Sequence, residues 1–280
     1  MPPIARSQDI SIQDAIDKIN SLTGLGGVKQ QVKAIIDYIN MEKIRSQASG
    51  EPVSNLSLHF VFSGNPGTGK TTVARLLAQV FKSLGLLSKG NLVEIDRSAL
   101  VAGYVGQTAI KTNEKIDESM GGILFIDEAY TLTPKGSEND FGKEAIDILL
   151  KRMEDDRGKF IVIAAGYKNE MEQFINANPG LPSRFTRTIH FDDYSDDEMT
   201  QIFTGIAKKS GRVLSNDALA ALPAIFSEIR SKEMHRFANG RTARNLFEHS
   251  LEKMAMRLAS RGLSATDSND INTIILQDII

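Results

Sequence analysis

Apolar residues fall into two arrangements along this chain, and the change comes near Asp192. Before it, compact apolar runs alternate with segments whose apolar residues return every three or four positions. LHFVFSG (58–64), NLVEID (91–96), GGILFIDE (121–128), KFIVIAAG (159–166) and RTIHF (187–191) read as strands. The third is apolar enough to be covered on both faces. The intervening segments read as helices. SIQDAIDKIN puts Ile12, Ile16 and Ile19 on one face, and a helix over roughly Val28 to Ile44 repeats Val28, Val32, Ile35, Ile36 and Ile39. TTVARLLAQVFKSLG, AIKTNEKIDESM, GKEAIDILLKRMED and KNEMEQFINAN follow the same spacing. SALVAGYVGQT and TLTPKGSEND read as loops. Strands alternating with helices predict a mostly parallel α/β sheet in three layers.

From Ser195 onward the pattern predicts helices alone: DDEMTQIFTGIAKKSG, SNDALAALPAIFSEIR and TARNLFEHSLEKMAMRLASRG. Ser195 with Glu198 forms a capping box at the first of these. Pro223 is expected to kink the second or end a turn in it. INTIILQDII, at 271–280, is apolar and suits either a short strand or a short helix. The expected division is a tail with a short helix at 1–20, an αβα domain at 21–193 and a helical domain at 194–280. No repeat or low-complexity tract interrupts it.

Composition narrows the setting. With 280 residues the chain is long enough for one large domain and a smaller one. Its 33 Lys+Arg against 35 Asp+Glu give a formal charge of -2, which lends nothing to a general nucleic-acid or membrane binder. There is no cysteine, so disulfides and thiolate metal sites are excluded. His59, His190, His235 and His249 are scattered without metal-ligand spacing. Neither a signal-peptide core nor a membrane span is visible, so the expected location is the cytoplasm or an organelle stroma.

Candidate chemistry begins at GNPGTGKT. Gly64, Asn65, Pro66, Gly67, Thr68, Gly69, Lys70 and Thr71 match G-x-x-x-x-G-K-[ST] in full, with Thr72 behind them. An apolar strand precedes the motif and a helix follows it. Backbone N–H groups of such a loop cradle phosphates, helped by the helix N-terminus. Lys70 is expected to reach the β- and γ-phosphates, and Thr71 to ligate Mg²⁺. ILFIDE adds two carboxylates at the end of a strand. Asp127 suits the Mg²⁺ shell and Glu128 suits a general base that orients an attacking water. Two arginines then stand three apart in SRFTR, Arg184 and Arg187.

Taken together, LSKGNLVEIDRSALVAGYVGQTAIKT, GGILFIDEAYTL, FGKEAIDILLKRMED, AAGYKNEM, NPGLPSRF and FANGRTARN resemble an AAA+ ATPase. The narrower resemblance is to the group that holds red-type Rubisco activase and stage V sporulation protein K. It covers roughly residues 20 to 262. The resemblance implies a five-stranded parallel sheet in the order 5-1-4-3-2, a small helical lid, a homo-oligomeric hexameric ring, and ATP with Mg²⁺ at each site. It places Arg184 as the arginine finger reaching a neighbour's γ-phosphate and Arg187 as a second arginine. Arg241, or Arg244 three residues on, matches the sensor-2 position. Sensor 1 falls at Tyr167 or Asn169, where many relatives carry Asn directly after the fourth strand. Leu25 and Val28, both in GLGGVK, match the segment that packs on adenine. Tyr104, Val105 and Gly106 resemble the aromatic-x-Gly pore loop. Such a Tyr gives a rigid amphipathic grip on peptide, and Gly103 and Gly106 leave the loop free to move.

The expected function is a ring-forming ATPase that couples hydrolysis to remodelling or threading of a protein client. Activation of Rubisco through its large subunit is one specific alternative. A non-motor ATP-binding assembly scaffold is another, disfavoured by the intact Asp127, Glu128 and Arg184. A nucleic-acid motor is disfavoured by the near-neutral charge.

Overall fold

A computed structural model describes residues 11–50, 57–104, 106–134, 141–233, 237–260 and 270–280. They form two compact units, one built on a sheet and one on helices. The sheet unit takes Gly26–Gly64 and Lys70–Phe191, together with the segment up to Leu22. The helical unit takes Asp192–Ile280 together with Thr23–Leu25 and Asn65–Gly69.

The sheet unit runs α1 (Ile12–Asn20), α2 (Gly26–Ser49), β1 (Phe60–Gly64), α3 (Lys70–Ser83), β2 (Leu92–Ile95), α4 (Arg97–Leu100), α5 (Gln107–Ser119) and β3 (Ile123–Ile126). After a 3-10 turn at Ala129–Leu132 come α6 (Gly142–Asp155), β4 (Ile161–Gly166), α7 (Lys168–Asn176), α8 (Leu181–Arg184) and β5 (Arg187–Phe191). All neighbouring strands are parallel, in the order β2-β3-β4-β1-β5. That is the expected order read from the other edge. Burial explains the uninterrupted apolar runs: β1, β3 and β4 are buried at every position.

The strand period of two sorts side chains onto the two faces. Val61, Leu124, Ile126, Val162 and Ala164 pack with Ile116 of α5, Ile146 and Leu149 of α6, and Met171 of α7. Phe60 points the other way and stacks on Phe81 of α3, ring centroids 6.1 Å apart. Phe62 meets Phe191 of β5 at 5.0 Å. The sheet is therefore covered on both sides. α1 buries Ala15 and Ile19 within this unit, so it is part of the fold and not of a separate tail. Residues 1–10 of the expected tail lie outside the described residues. The loop expected at SALVAGYVGQT holds one extra element, α4, whose N-terminus is capped by the Asp96 carboxylate accepting from Ser98 N–H.

The helical unit contains α9 (Asp196–Lys209), β6 (Val213–Leu214), α10 (Asn216–Lys232), α11 (Gly240–Ser260), a 3-10 turn at Asp270–Asn272, β7 (Thr273–Ile274) and α12 (Leu276–Ile279). The capping box is present: Ser195 accepts from Glu198 N–H while Glu198 accepts from Ser195 N–H. Phe203, Leu222, Phe226, Phe247 and Met254 form the core. One expectation needs correction. The region is not purely helical, because β6 and β7 pair in parallel. Each strand is two residues long and the partners lie sixty positions apart (213↔273), so no local periodicity announces them. α10 holds Pro223 in its interior and runs on to Lys232. The C-terminal stretch is both a strand and a helix, tied down by the Arg257–Asp278 ion pair at 2.9 Å. Both partners are almost fully buried, and burial of a satisfied pair makes removal of either one costly. Among the described residues, no helix is long and apolar enough to cross a membrane.

Candidate nucleotide site

In a parallel sheet, ligands gather beyond the carboxyl ends of the strands. The candidate residues of the sheet unit stand there. Lys70 opens α3, six residues past the end of β1; Asp127 and Glu128 follow β3, and Tyr167 follows β4. Since β3, β4 and β1 are adjacent, the topology alone brings these side chains to one edge.

Lys70 Nζ donates to Gly64 O at 2.7 Å, so the ammonium folds back over the start of its own loop. Gly64 has φ +151°, and a Cβ there would lie 2.4 Å from Phe191 O, so this position requires glycine. The Thr71 hydroxyl lies 3.4 Å from Glu94 Oε1 at the end of β2. Asp127 accepts from Glu128 N–H at 3.1 Å. Thr71, Asp127 and Glu94 are hard oxygen donors, the chemistry Mg²⁺ requires. Glu128 adopts φ +47°, an uncommon left-handed conformation for a residue with a side chain. Its carbonyl accepts from both the amide and the hydroxyl of Thr131, which holds the turn. Glu128 is exposed. Strain of this kind at a strand end is a familiar mark of a working site.

Tyr130, given no role by the sequence reading, stands against this pair. Burial, with the negative fields of Glu128, Tyr167, Glu170 and Asp127 behind it, pushes its hydroxyl up to about 12. Its ring lies 6.1 Å from that of Tyr167. A sequence signal existed: Tyr130 is two residues after Glu128, in the turn that aims the carboxylate. Tyr167 is half-buried at the N-cap of α7 and Asn169 is exposed in the first turn, so the structure keeps both beside the end of β4.

Arg184 closes α8. Its guanidinium pairs with Glu154 of α6 at 2.5 Å, while its Nε is buried without a partner. Beside it, burial first and then the charges of Arg184 and Arg157 lower His59 to about 4. His59 is therefore neutral near pH 7 and accepts from Val162 N–H at 3.0 Å. Arg187 lies over the Tyr38 ring at 5.4 Å, and its Nε too is buried and unpaired. The two arginines are thus engaged within the chain, each with a donor left over.

The rest of the phosphate loop belongs to the helical unit. Gly67 N–H and Gly69 N–H sit in left-handed turns, φ +72° and +95°. Gly240 N–H, at the start of α11, donates to Gly67 O at 3.0 Å. Arg241 and Arg244 follow on the exposed side of α11, and their side chains make no ion pair among the described residues. Leu25 packs on this unit's core and lies near Gly69. Val28 is a correction: it is 2% exposed inside the sheet unit and offers no surface to a base. The helical repeat that flagged it reports core packing.

Tyr104 is 75% exposed, in the turn between α4 and α5. Gly106 follows at φ +82° with no atom near a would-be Cβ, while Val105 lies outside the described residues. The base of this loop is fixed. Ala102 N–H donates to the buried Thr108 hydroxyl at 3.0 Å, and the Thr112 hydroxyl donates to Leu100 O at 3.3 Å.

Two family models match the chain. Residues 60–193 match the ATPase family associated with various cellular activities (AAA), and residues 195–280 match the AAA lid domain. The chain is 43% identical to stage V sporulation protein K of Bacillus subtilis, over 94% of this chain and 80% of that one. It is 38% identical to a CfxQ homolog of Pyropia yezoensis, over 96% of this chain and 89% of that one. It is 36% identical to the ESX-3 secretion system protein EccA3 of Mycobacterium leprae, over 99% of this chain but only 46% of that protein.

Proposed function

Since the chain belongs to the AAA family of ATPases, we propose that it is a ring-forming motor that spends ATP hydrolysis on remodelling or threading a protein client. The observation that carries the reading is the convergence of Lys70, Asp127, Glu128 and Tyr167 at the carboxyl ends of β1, β3 and β4. The residue types divide the labour of phosphoryl transfer. Lys70 exchanges its bond to Gly64 O for the phosphate oxygens. Thr71 and Asp127 would hold Mg²⁺, which would neutralise charge on those oxygens. Glu128 orients the water that attacks the γ-phosphate. Tyr130 keeps its proton across the physiological range, so it borders the carboxylates without adding charge. Arg184 leaves Glu154 and donates to the γ-phosphate of a neighbouring copy, with Arg187 beside it. Arg241, with Arg244 as its understudy, reports the nucleotide to the lid; Tyr167 or Asn169 does so from the sheet. Leu25 packs on the base. Tyr104, with Val105 and Gly106, grips the client without demanding sequence, because an exposed aromatic ring binds peptide through area.

The client is a protein whose identity the relatives leave open. Their names come from sporulation, secretion and the CfxQ group, so Rubisco is one candidate client among several. The test of the motor reading is Glu128→Gln. Loss of a general base lowers kcat by about 10²–10⁴-fold. ATP affinity is expected to persist, and client to be retained in a pulldown. Undiminished turnover in this variant would refute the assignment.

A further inference from the structure

The phosphate-loop segment Asn65–Gly69 is held by its carbonyl side. Asn65 O accepts from the Thr68 hydroxyl at 2.8 Å. Pro66 O accepts from Asn239 Nδ2 at 3.3 Å and Gly67 O from Gly240 N–H at 3.0 Å. Thr68 O accepts from the Tyr194 hydroxyl at 3.1 Å. Four successive carbonyls are thus occupied, three of them by groups from the far end of the chain. The N–H groups of Gly67, Thr68 and Gly69, by contrast, meet no protein acceptor among the described residues. A peptide plane whose C=O is fixed has its N–H fixed in the opposite sense. Pinning the carbonyls therefore presents the amides as a row of donors suited to an anion.

Asn239 stands at the centre of this arrangement. It is fully buried, sits at φ +49°, and uses its whole amide. Nδ2 also donates to Asp193 Oδ1 at 2.7 Å, and Oδ1 accepts from Tyr194 N–H at 3.0 Å. Asp193 in turn accepts from Asn65 Nδ2 through both oxygens at 3.0 Å. Burial, and Glu198 next to it, push the Tyr194 hydroxyl up to about 12, so it stays a donor.

We infer that Asn239, Asp193 and Tyr194 are positioning residues of the nucleotide site: they set the peptide orientation of the phosphate loop so that its amides face the phosphates. The inference rests on reading Gly64–Thr71 as the phosphate loop. Its signature is a loss of nucleotide affinity with little loss of chemistry, because none of the three touches the reacting atoms.

The test uses the full chain, a fluorescent ATP analogue with Mg²⁺, and steady-state ATPase. Tyr194→Phe removes one donor and keeps the ring. Asn239→Gly removes the side chain and tolerates the positive φ. Tyr194→Phe is expected to raise Kd and KM about threefold and Asn239→Gly about tenfold, with kcat changed less than about twofold in either. Lys70→Ala is the reference. If it binds the analogue as wild type does, the phosphate-loop reading falls and the inference with it. If Lys70→Ala loses binding while Tyr194→Phe and Asn239→Gly keep wild-type Kd and KM, the positioning role alone is overturned. A drop in kcat with unchanged KM overturns it equally. Should Asn239→Gly not fold, Tyr194→Phe decides.

Discussion

Two glycine-containing loops, one after β1 and one after β2, are built in opposite ways. In the phosphate loop every carbonyl from Gly64 to Thr68 has a donor, and Gly67 is enclosed by Ala238 and Arg241 backbone. In the Tyr104 loop the base is pinned by Thr108 and Thr112, while the tip exposes Tyr104 and leaves Gly106 in open space. Glycine therefore means different things in the two. At Gly67 it permits a fixed, crowded turn. At Gly106 it permits a left-handed residue in a loop with room to move. The first design suits a site that must fit one charged group, and the second a surface that grips many sequences.

The comparison is broken or sharpened by substitution. Gly67→Ala should have the largest effect. Its Cβ would fall 2.0 Å from Ala238 O, and φ is +72°. Overlap plus left-handed strain costs about 3 kcal/mol, and urea unfolding should show it. Next comes acid acting on His59, the residue just before β1, the strand that leads into the phosphate loop. His59 titrates near 6.5 when unfolded and at about 4 in the fold. The unfolded chain thus binds more protons between those values, and stability falls as pH drops through that window. Between pH 7.5 and 5 the loss is about 2 kcal/mol. In His59→Gln the same pair of unfolding curves should lie closer together by that amount. Thr108→Val leaves Ala102 N–H without its acceptor in a buried place and should cost about 1.5 kcal/mol. Gly106→Ala carries strain but no overlap, so about 1 kcal/mol is expected. Tyr104→Ala should change stability by less than about 0.5 kcal/mol, as exposed positions do. Equal costs at Gly67 and Gly106 would erase the distinction between the loops.

What the sequence revealed follows from distance along the chain. Gly64–Thr71, Asp127–Glu128 and the Ser195–Glu198 capping box are local patterns; the capping box forms as expected, and the other two stand at the carboxyl ends of β1 and β3. α6 matches its predicted bounds, Gly142–Asp155, because a single amphipathic face spans it. Asn239 reaches Pro66 across 173 positions and Tyr194 reaches Thr68 across 126, so no spacing rule connects them. The pairing of Arg184 with Glu154 is hidden for the same reason, as is the β6–β7 ladder. Val28 shows the converse error, since one apolar residue looks alike whether it faces a core or a ligand.

The central claim is that each site is completed by Arg184 from the next copy. Mixing Arg184→Ala with Glu128→Gln tests it most directly. Each variant alone should be nearly inactive. In an equimolar mixed ring, some sites pair an intact Glu128 with an intact neighbouring Arg184, and random assembly restores about one quarter of wild-type turnover. Turnover no greater than the two variants give separately, in mixtures shown to co-assemble, would contradict a shared site.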